Sequence, residues 1–468
     1  MKKIYLTTLL LVICVAVFFL LLWRDKGKTV NDFATAAADF SNDIFFDADL
    51  QYFMDTQVNN NHPITLTAWI NEDWEDSYTF LFDRYQEYRP NVTIEVIKYP
   101  WRTYWAKLEL ALQSNRGPDI FHMHNEYSSQ LLEYLESLPQ SMFSPDRLGE
   151  FFRHAESAKI GDEMYFLNIG NTTGGIFYNK DMWLGAGLTS ADIPTTWEDL
   201  REVAKQLTQY DDKGNITVDG FNFSGNTPFL LIAMQMQHGI LPFSSDGRFS
   251  YFNNPENLIN VRFLQELTMA DHVSSFGAEP ANEKLGNKRA AMIYAWPSVA
   301  NDLDRYYQDI DYGFFRPPVW DLSAVPAFDR NNYECSFAIN KQIIEDKKEV
   351  AFDLLLFYLC NDQALIKVSN QAKMIPSKLS LMNDDLILGN TVIAAQAEYI
   401  DKTAFLGVLP EAVFEYLKTD FERNIMNDWG SIEYVLSNAD TTMGEIMTAA
   451  GFDYRMPDYP YYHEFKAP

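Results

Sequence analysis

Residues 64–70 read ITLTAWI, residues 92–98 read VTIEVIK, and residues 120–123 read IFHM. The first two alternate and are rich in β-branched residues, so each predicts a strand. Between them, Tyr78, Leu81, Phe82 and Tyr85 recur at helical spacing over Asp76 to Tyr88, and Pro90 stops that helix. Trp105 to Leu112 and Tyr127 to Leu138 read as two further helices. Gly117-Pro118-Asp119 turns into the third, shorter strand. The rhythm β-α-β-α-β-α predicts an α/β chain built on a parallel sheet with helices on both faces.

Outward from this block, Glu163 to Phe166 and Gly175 to Tyr178 read as strands. They flank Gly170-Asn171-Thr172-Thr173-Gly174-Gly175. Pro194-Thr195-Thr196-Trp197-Glu198-Asp199-Leu200 is a helix entry, with Thr196 as N-cap and Asp199 three residues on as its capping-box partner. Asp211-Asp212-Lys213-Gly214-Asn215 reads as a hairpin-type turn, because it lacks the spacing and terminal Glu of a calcium loop. Helices are expected near 226–239, 256–270 and 297–308, and strands near 311–315 and 336–340. Helices then dominate to about 450.

The chain has 468 residues, enough for large cores without metal or disulfide support. Lys and Arg number 37 against 65 Asp and Glu, a net charge of −28 that repels phosphate backbones and excludes nucleic acid as a natural partner. Only Cys14, Cys335 and Cys360 occur, so this is no disulfide scaffold. Cys335 and Cys360 read as buried thiols or as a bridge. Aromatics reach 15%, more rings than a core alone needs.

Ile4 to Trp23 is almost unbroken apolar sequence behind Lys2 and Lys3. About twenty residues at 1.5 Å each span a bilayer core of about 30 Å. The run exceeds the apolar region of a cleavable signal and no small-residue cleavage site follows closely. It reads as a signal anchor over 1–28, with 29–62 as a tether. Cleavage near Ala34 to Ala38, or lipidation at Cys14, are the alternatives. The expected place is the extracytoplasmic face of a membrane.

Several short motifs, in order, resemble a known family. They are Arg116-Gly117-Pro118-Asp119-Ile120, Phe177-Tyr178-Asn179-Lys180-Asp181, Ala186-Gly187-Leu188, the helix entry at Pro194 to Leu200, and Gly286-Asn287-Lys288-Arg289-Ala290-Ala291-Met292 ahead of Trp296. Over roughly 63–450 the chain is similar to the extracellular solute-binding proteins of ABC-type sugar importers, the maltose-binding-protein-like group. That resemblance implies a two-lobed, type II periplasmic-binding-protein-like fold, no catalysis and no cofactor. Lobe 1 would be 63–168 plus 320–373, and lobe 2 would be 176–312 plus 376–468. Hinges would fall near 169–175, 313–319 and 374–377. A monomer would close on an oligosaccharide and pass it to a transmembrane permease. The chain departs from the family's usual lipoprotein or cleaved form in its N-terminal run.

A sugar presents hydroxyl edges and apolar faces, so its site needs stacking rings and planar polar groups. Loops after the strands supply candidates: Trp69, Asn71, Glu72 and Trp74; Trp101 and Arg102; His124 and Asn125. Asn171, Thr172, Thr173 and Tyr178 come from the hinge region, and Trp296 from lobe 2. Trp69 reads equally as core, Tyr178 as hinge packing, and the acidic loop at Asn71 to Asp76 as a favourable helix start. His122, His124 and Glu126 suggest metal capture as a rival. Glu72 and Asp73 suggest a glycosidase pair, but adjacent residues diverge and no nucleophile elbow or phosphate loop supports catalysis. A sensing receptor domain partnering a signalling protein, or a binder of a non-sugar solute, remains the alternative to delivery.

Overall fold

The computed structural model describes residues 52, 57–244, 246–277, 279–323, 325–407, 409–427, 431–449 and 465. The predicted anchor over 1–28 and most of the tether lie outside the described residues. Among the described residues, no helix is long and apolar enough to cross a membrane.

The opening block folds as its sequence pattern dictates. Strands β1 (Ile64–Asn71), β2 (Val92–Tyr99) and β3 (Ile120–His124) pair in parallel in the order β2-β1-β3. Helices α1 (Glu75–Tyr88) and α2 (Trp101–Gln113) make the crossovers. The chain then adds β4 (Asn168–Thr173), and enters a second sheet through β5 (Gly175–Asn179), β6 (Gln209–Tyr210), β7 (Ile216–Asn222), β8 (Ala290–Ala295) and β9 (Tyr312–Phe315). It returns to the first sheet with β10 (Asp329–Ile339), β11 (Ile375–Pro376) and β12 (Thr403–Phe405). The first sheet has the order β11-β4-β10-β3-β1-β2, with β12 beside β10. The second has the order β9-β5-β8-β7-β6.

Each sheet has its own core. Leu66, Phe121, Met123, Phe337 and Leu355 belong to the first, and Trp197, Phe221, Met292, Leu417 and Leu436 to the second. Apolar burial, the main driving force, is therefore divided between two bodies, and only a few backbone passages join them. The lobes are α/β, as expected.

The first passage falls within the hinge expected near 169–175, and the other two lie further along the chain than expected. Gly170 to Thr173 is not a loop but fully buried strand β4, and the sheets change hands at Gly174. A side chain at Gly174 would collide with Asp329 and Tyr294, and one at Gly175 with the Phe314 ring. The second passage falls just before Asp329 rather than over 313–319. Pro317 and Pro318 end β9, but Val319 still bonds Thr195 and Trp197, and Trp320 donates its Nε1–H to Asn260 Oδ1 at 2.8 Å on the lobe 2 side. The third passage is drawn out. Strand β11 pairs with β4, residues 391–400 pack on the hinge, and the chain joins the lobe 2 core from Ala404 onward. Tyr127 to Leu138 forms only short helical turns ending at Tyr134. Cys335 and Cys360 are free thiols, so the bridge alternative falls.

Candidate functional site

The carboxyl ends of β1 and β3 open toward lobe 2, where open parallel sheets place ligands. A cleft of about 510 Å³ lies there, lined from both lobes. On the lobe 1 side, Asn71 caps the turn after β1 by accepting the Asp73 N–H at 3.2 Å, which fixes Asp73 and Trp74 at the wall. Pro100 starts α2, so Trp101 and Arg102 occupy its first turn instead of a loop, and still reach the cleft. Behind them is a pile of rings. Trp101 meets Trp105 at 5.1 Å and His124 at 5.2 Å between centroids, and Trp105 stacks on Tyr127 at 3.9 Å. This packing holds the Trp101 ring with little rotamer freedom.

The two predicted histidines separate in role. His122 is fully buried, with Nδ1 3.2 Å from the Tyr78 hydroxyl, and burial pulls its pKa down to about 3. It is a neutral core residue. His124 lines the cleft. Its Nδ1 accepts the Glu126 N–H at 3.3 Å, and its Nε2 lies 3.1 Å from the Asn332 amide. Glu126 and Glu334 stand 3.9 and 4.0 Å from its ring nitrogens. Burial raises the pKa of Glu334. Among the described residues, no group of His, Cys, Asp or Glu is placed to hold a metal ion.

From lobe 2 come Asn226, Phe229, Trp296, Asn301 and Asp302. Along one rim the lobes touch. Arg305 reaches Asp73 at 3.5 Å, Lys373 reaches Asp304 at 3.1 Å, and Asn301 donates to the Gln371 carbonyl at 2.8 Å.

Of the predicted residues, the structure brings Asn71, Trp74, Trp101, Arg102, His124, Thr172 and Trp296 together at the cleft. Asn125 lies beside it, donating to Asn332 Oδ1 at 2.6 Å and lining a small adjoining cavity of about 20 Å³. Five do not reach the cleft wall. Trp69 packs edge-on against Tyr99 at 4.9 Å. Glu72 is half-buried in the turn beside Asp73. Asn171 is buried in β4, and Thr173 is spent on the Arg330 carbonyl at 3.0 Å. Tyr178 packs on Trp183 and Phe315. In β4 the alternation decides this, since only Thr172 of the three points to the opening.

Sequence reasoning missed the contribution of β10. Arg330, Asn332 and Glu334, alternate residues of this strand, all line the cleft. The signal was the polar run Asp329-Arg330-Asn331-Asn332 entering a strand whose other end is apolar. A buried strand carries such a run only where one face meets a polar opening.

The sequence profile described as bacterial extracellular solute-binding protein matches residues 81–388. Among curated relatives, the sn-glycerol-3-phosphate-binding periplasmic protein UgpB of Shigella dysenteriae is 29% identical over 169 residues, 34% of this chain and 36% of that protein. The protein of the same name from Escherichia coli K12 is 28% identical over the same length. The chain thus spans about a third of the length of the curated relatives it matches. Two solved structures share the fold. An ABC substrate-binding protein from Listeria monocytogenes in complex with cycloalternan superposes with a TM-score of 0.67 at 16% identity, covering 82% of this chain and 99% of that one. The maltose/maltodextrin-binding domain MalE from Bdellovibrio bacteriovorus, bound to maltotriose, gives 0.67 at 17%, covering 82% and 100%. The profile match extends over more than half of the chain and coincides with the two-lobed fold and its cleft, so the chain belongs to the bacterial extracellular solute-binding protein family.

Proposed function

We propose that this protein captures a carbohydrate, most simply an oligosaccharide, between its lobes and hands it to an ABC importer permease. The single observation that carries the reading is the composition of the cleft. Trp74, Trp101 and Trp296 offer rings from both lobes, and Asn71, Asn226, Asn332, Asp73 and Glu334 offer amides and carboxylates around them. Rings suit the apolar faces of a sugar and planar polar groups suit its hydroxyl pairs. About 510 Å³ fits a few sugar units within the usual range of small-molecule sites. The solved relatives described above hold cycloalternan and maltotriose. Anchoring through the apolar run Ile4 to Trp23 would keep the binding domain at the outer face of the membrane, within reach of the permease.

A non-sugar solute is the second reading. The curated relatives carry the name of a glycerol phosphate binder, and the cleft contains Arg102, Arg330 and Lys418. Calorimetry of the full chain in detergent micelles against neutral and acidic oligosaccharides, glycerol 3-phosphate, peptides and polyamines separates the two. The carbohydrate reading expects one-to-one binding of an oligosaccharide at micromolar Kd or tighter. Heat from the other solutes alone would overturn it.

A further inference from the structure

Arg330 is 7% exposed, lines both the cleft and its small side cavity, and its Nε has no hydrogen-bond partner. No carboxylate among the described residues lies within ion-pair distance of its guanidinium. Among the described residues, other buried cations are paired. Arg89 meets Asp353 at 3.2 Å, and Lys284 meets Asp219 at 2.7 Å. A buried charge without a partner is costly, so an unpaired one facing an opening signals a group that arrives from outside.

We infer that the solute carries an anionic oxo-acid group, a carboxylate or a phosphate ester, and that Arg330 receives it. This rests on the carbohydrate reading for its fuller form, an acidic sugar. The geometry suits the task. The guanidinium carbon lies 4.3 Å from the Trp296 ring centroid and 4.5 Å from that of Phe229. Rings packed on a guanidinium leave its in-plane edge as the donor direction, and that edge matches the two oxygens of a carboxylate or phosphate. The arginine belongs to β10 of lobe 1 and the rings to lobe 2, so the receptor is assembled where the lobes meet. Lys418 lines the same cleft and adds positive charge.

Asp329 and Glu126 attract Arg330 through space, but neither forms an ion pair with it. Asp329 accepts the Arg330 backbone N–H at 2.7 Å and the Tyr294 hydroxyl at 2.8 Å. Glu126 and Glu334 face His124. The Trp296 face near Arg330 is already occupied by the guanidinium, so a sugar ring would stack on Trp74 or Trp101 while its acidic substituent reaches Arg330.

The test is calorimetry on the full chain in detergent micelles with four probes: trigalacturonate, its fully methyl-esterified form, maltotriose and glycerol 3-phosphate. The expected result is at least tenfold tighter binding of trigalacturonate than of its ester, with the difference abolished in Arg330→Gln. The ester comparison is made on the unmodified chain and does not depend on the variant folding. Ester and acid binding equally, or maltotriose binding tightest, overturns the anion assignment and leaves the carbohydrate reading standing. Glycerol 3-phosphate binding alone, lost in Arg330→Gln, keeps the role of Arg330 and overturns the carbohydrate reading. Silence with all four probes from a cooperatively melting chain overturns both.

Discussion

The Tyr294 hydroxyl and the Asp329 carboxylate connect the two sheets at 2.8 Å, beside the Gly174 passage. Burial pushes the Asp329 carboxyl from its usual 3.8 up to about 7. The folded chain therefore holds this proton where the unfolded chain has lost it. That contribution to stability is complete below pH 4 and disappears as pH rises toward 7. At about 1.4 kcal/mol per unit, the ceiling is ~4 kcal/mol, with the opposing pull of the Arg330 charge already included. Asp329→Asn mimics the protonated form and does not ionise. Thermal melts should show this variant gaining on the unmodified chain between pH 4 and pH 8, and a constant difference across that range would contradict the burial argument. Asp329 and Arg330 show in the sequence only as part of a polar run; which of them faces the cleft depends on where β10 sits between β4 and β3. Trp101 and Trp296 were legible as cleft rings, but the same signal misled at Trp69, which packs on Tyr99.

Elements with local signals read well, and those defined by distant packing did not. Thr196 caps helix Trp197–Leu207 by accepting the Asp199 N–H at 3.1 Å, and Asp199 Oδ2 accepts the Thr196 N–H at 3.1 Å. This reciprocal cap was evident from spacing alone. Thr196→Ala should cost the helix about 1 kcal/mol, seen as roughly fivefold faster amide exchange in its first turn. Unchanged exchange would mean that the Trp197 core contact alone sets this helix start. The strand Asn168–Thr173 was missed because its glycine and polar residues mimic a loop. Its pairing with β10 supplies what its sequence lacks. Likewise Pro317 and Pro318 mark the end of β9 but not the lobe boundary, which Trp320 carries further along the chain.

At the scale of the molecule, two apolar cores joined by few backbone passages favour relative motion of the lobes. The contacts along the rim are compatible with it. The Asp73–Arg305 pair is largely solvated and weak, so it can open without large cost, whereas Lys373 of the Asp304–Lys373 pair is mostly covered. The two-lobed plan was legible only through the family resemblance that the motifs carry, and the segment carrying Arg330 was assigned to lobe 1 without any expectation that it faced the ligand. Capture between lobes requires both walls to hold the same solute. The most direct measurement is therefore calorimetry with the tightest ligand of the panel on the full chain, on Trp101→Ala from lobe 1 and on Trp296→Ala from lobe 2. The account predicts one-to-one binding that weakens at least tenfold, about 1.4 kcal/mol, in each variant. Undiminished affinity in either variant would mean that the solute sits on one lobe alone, and the claim of capture between them would fail.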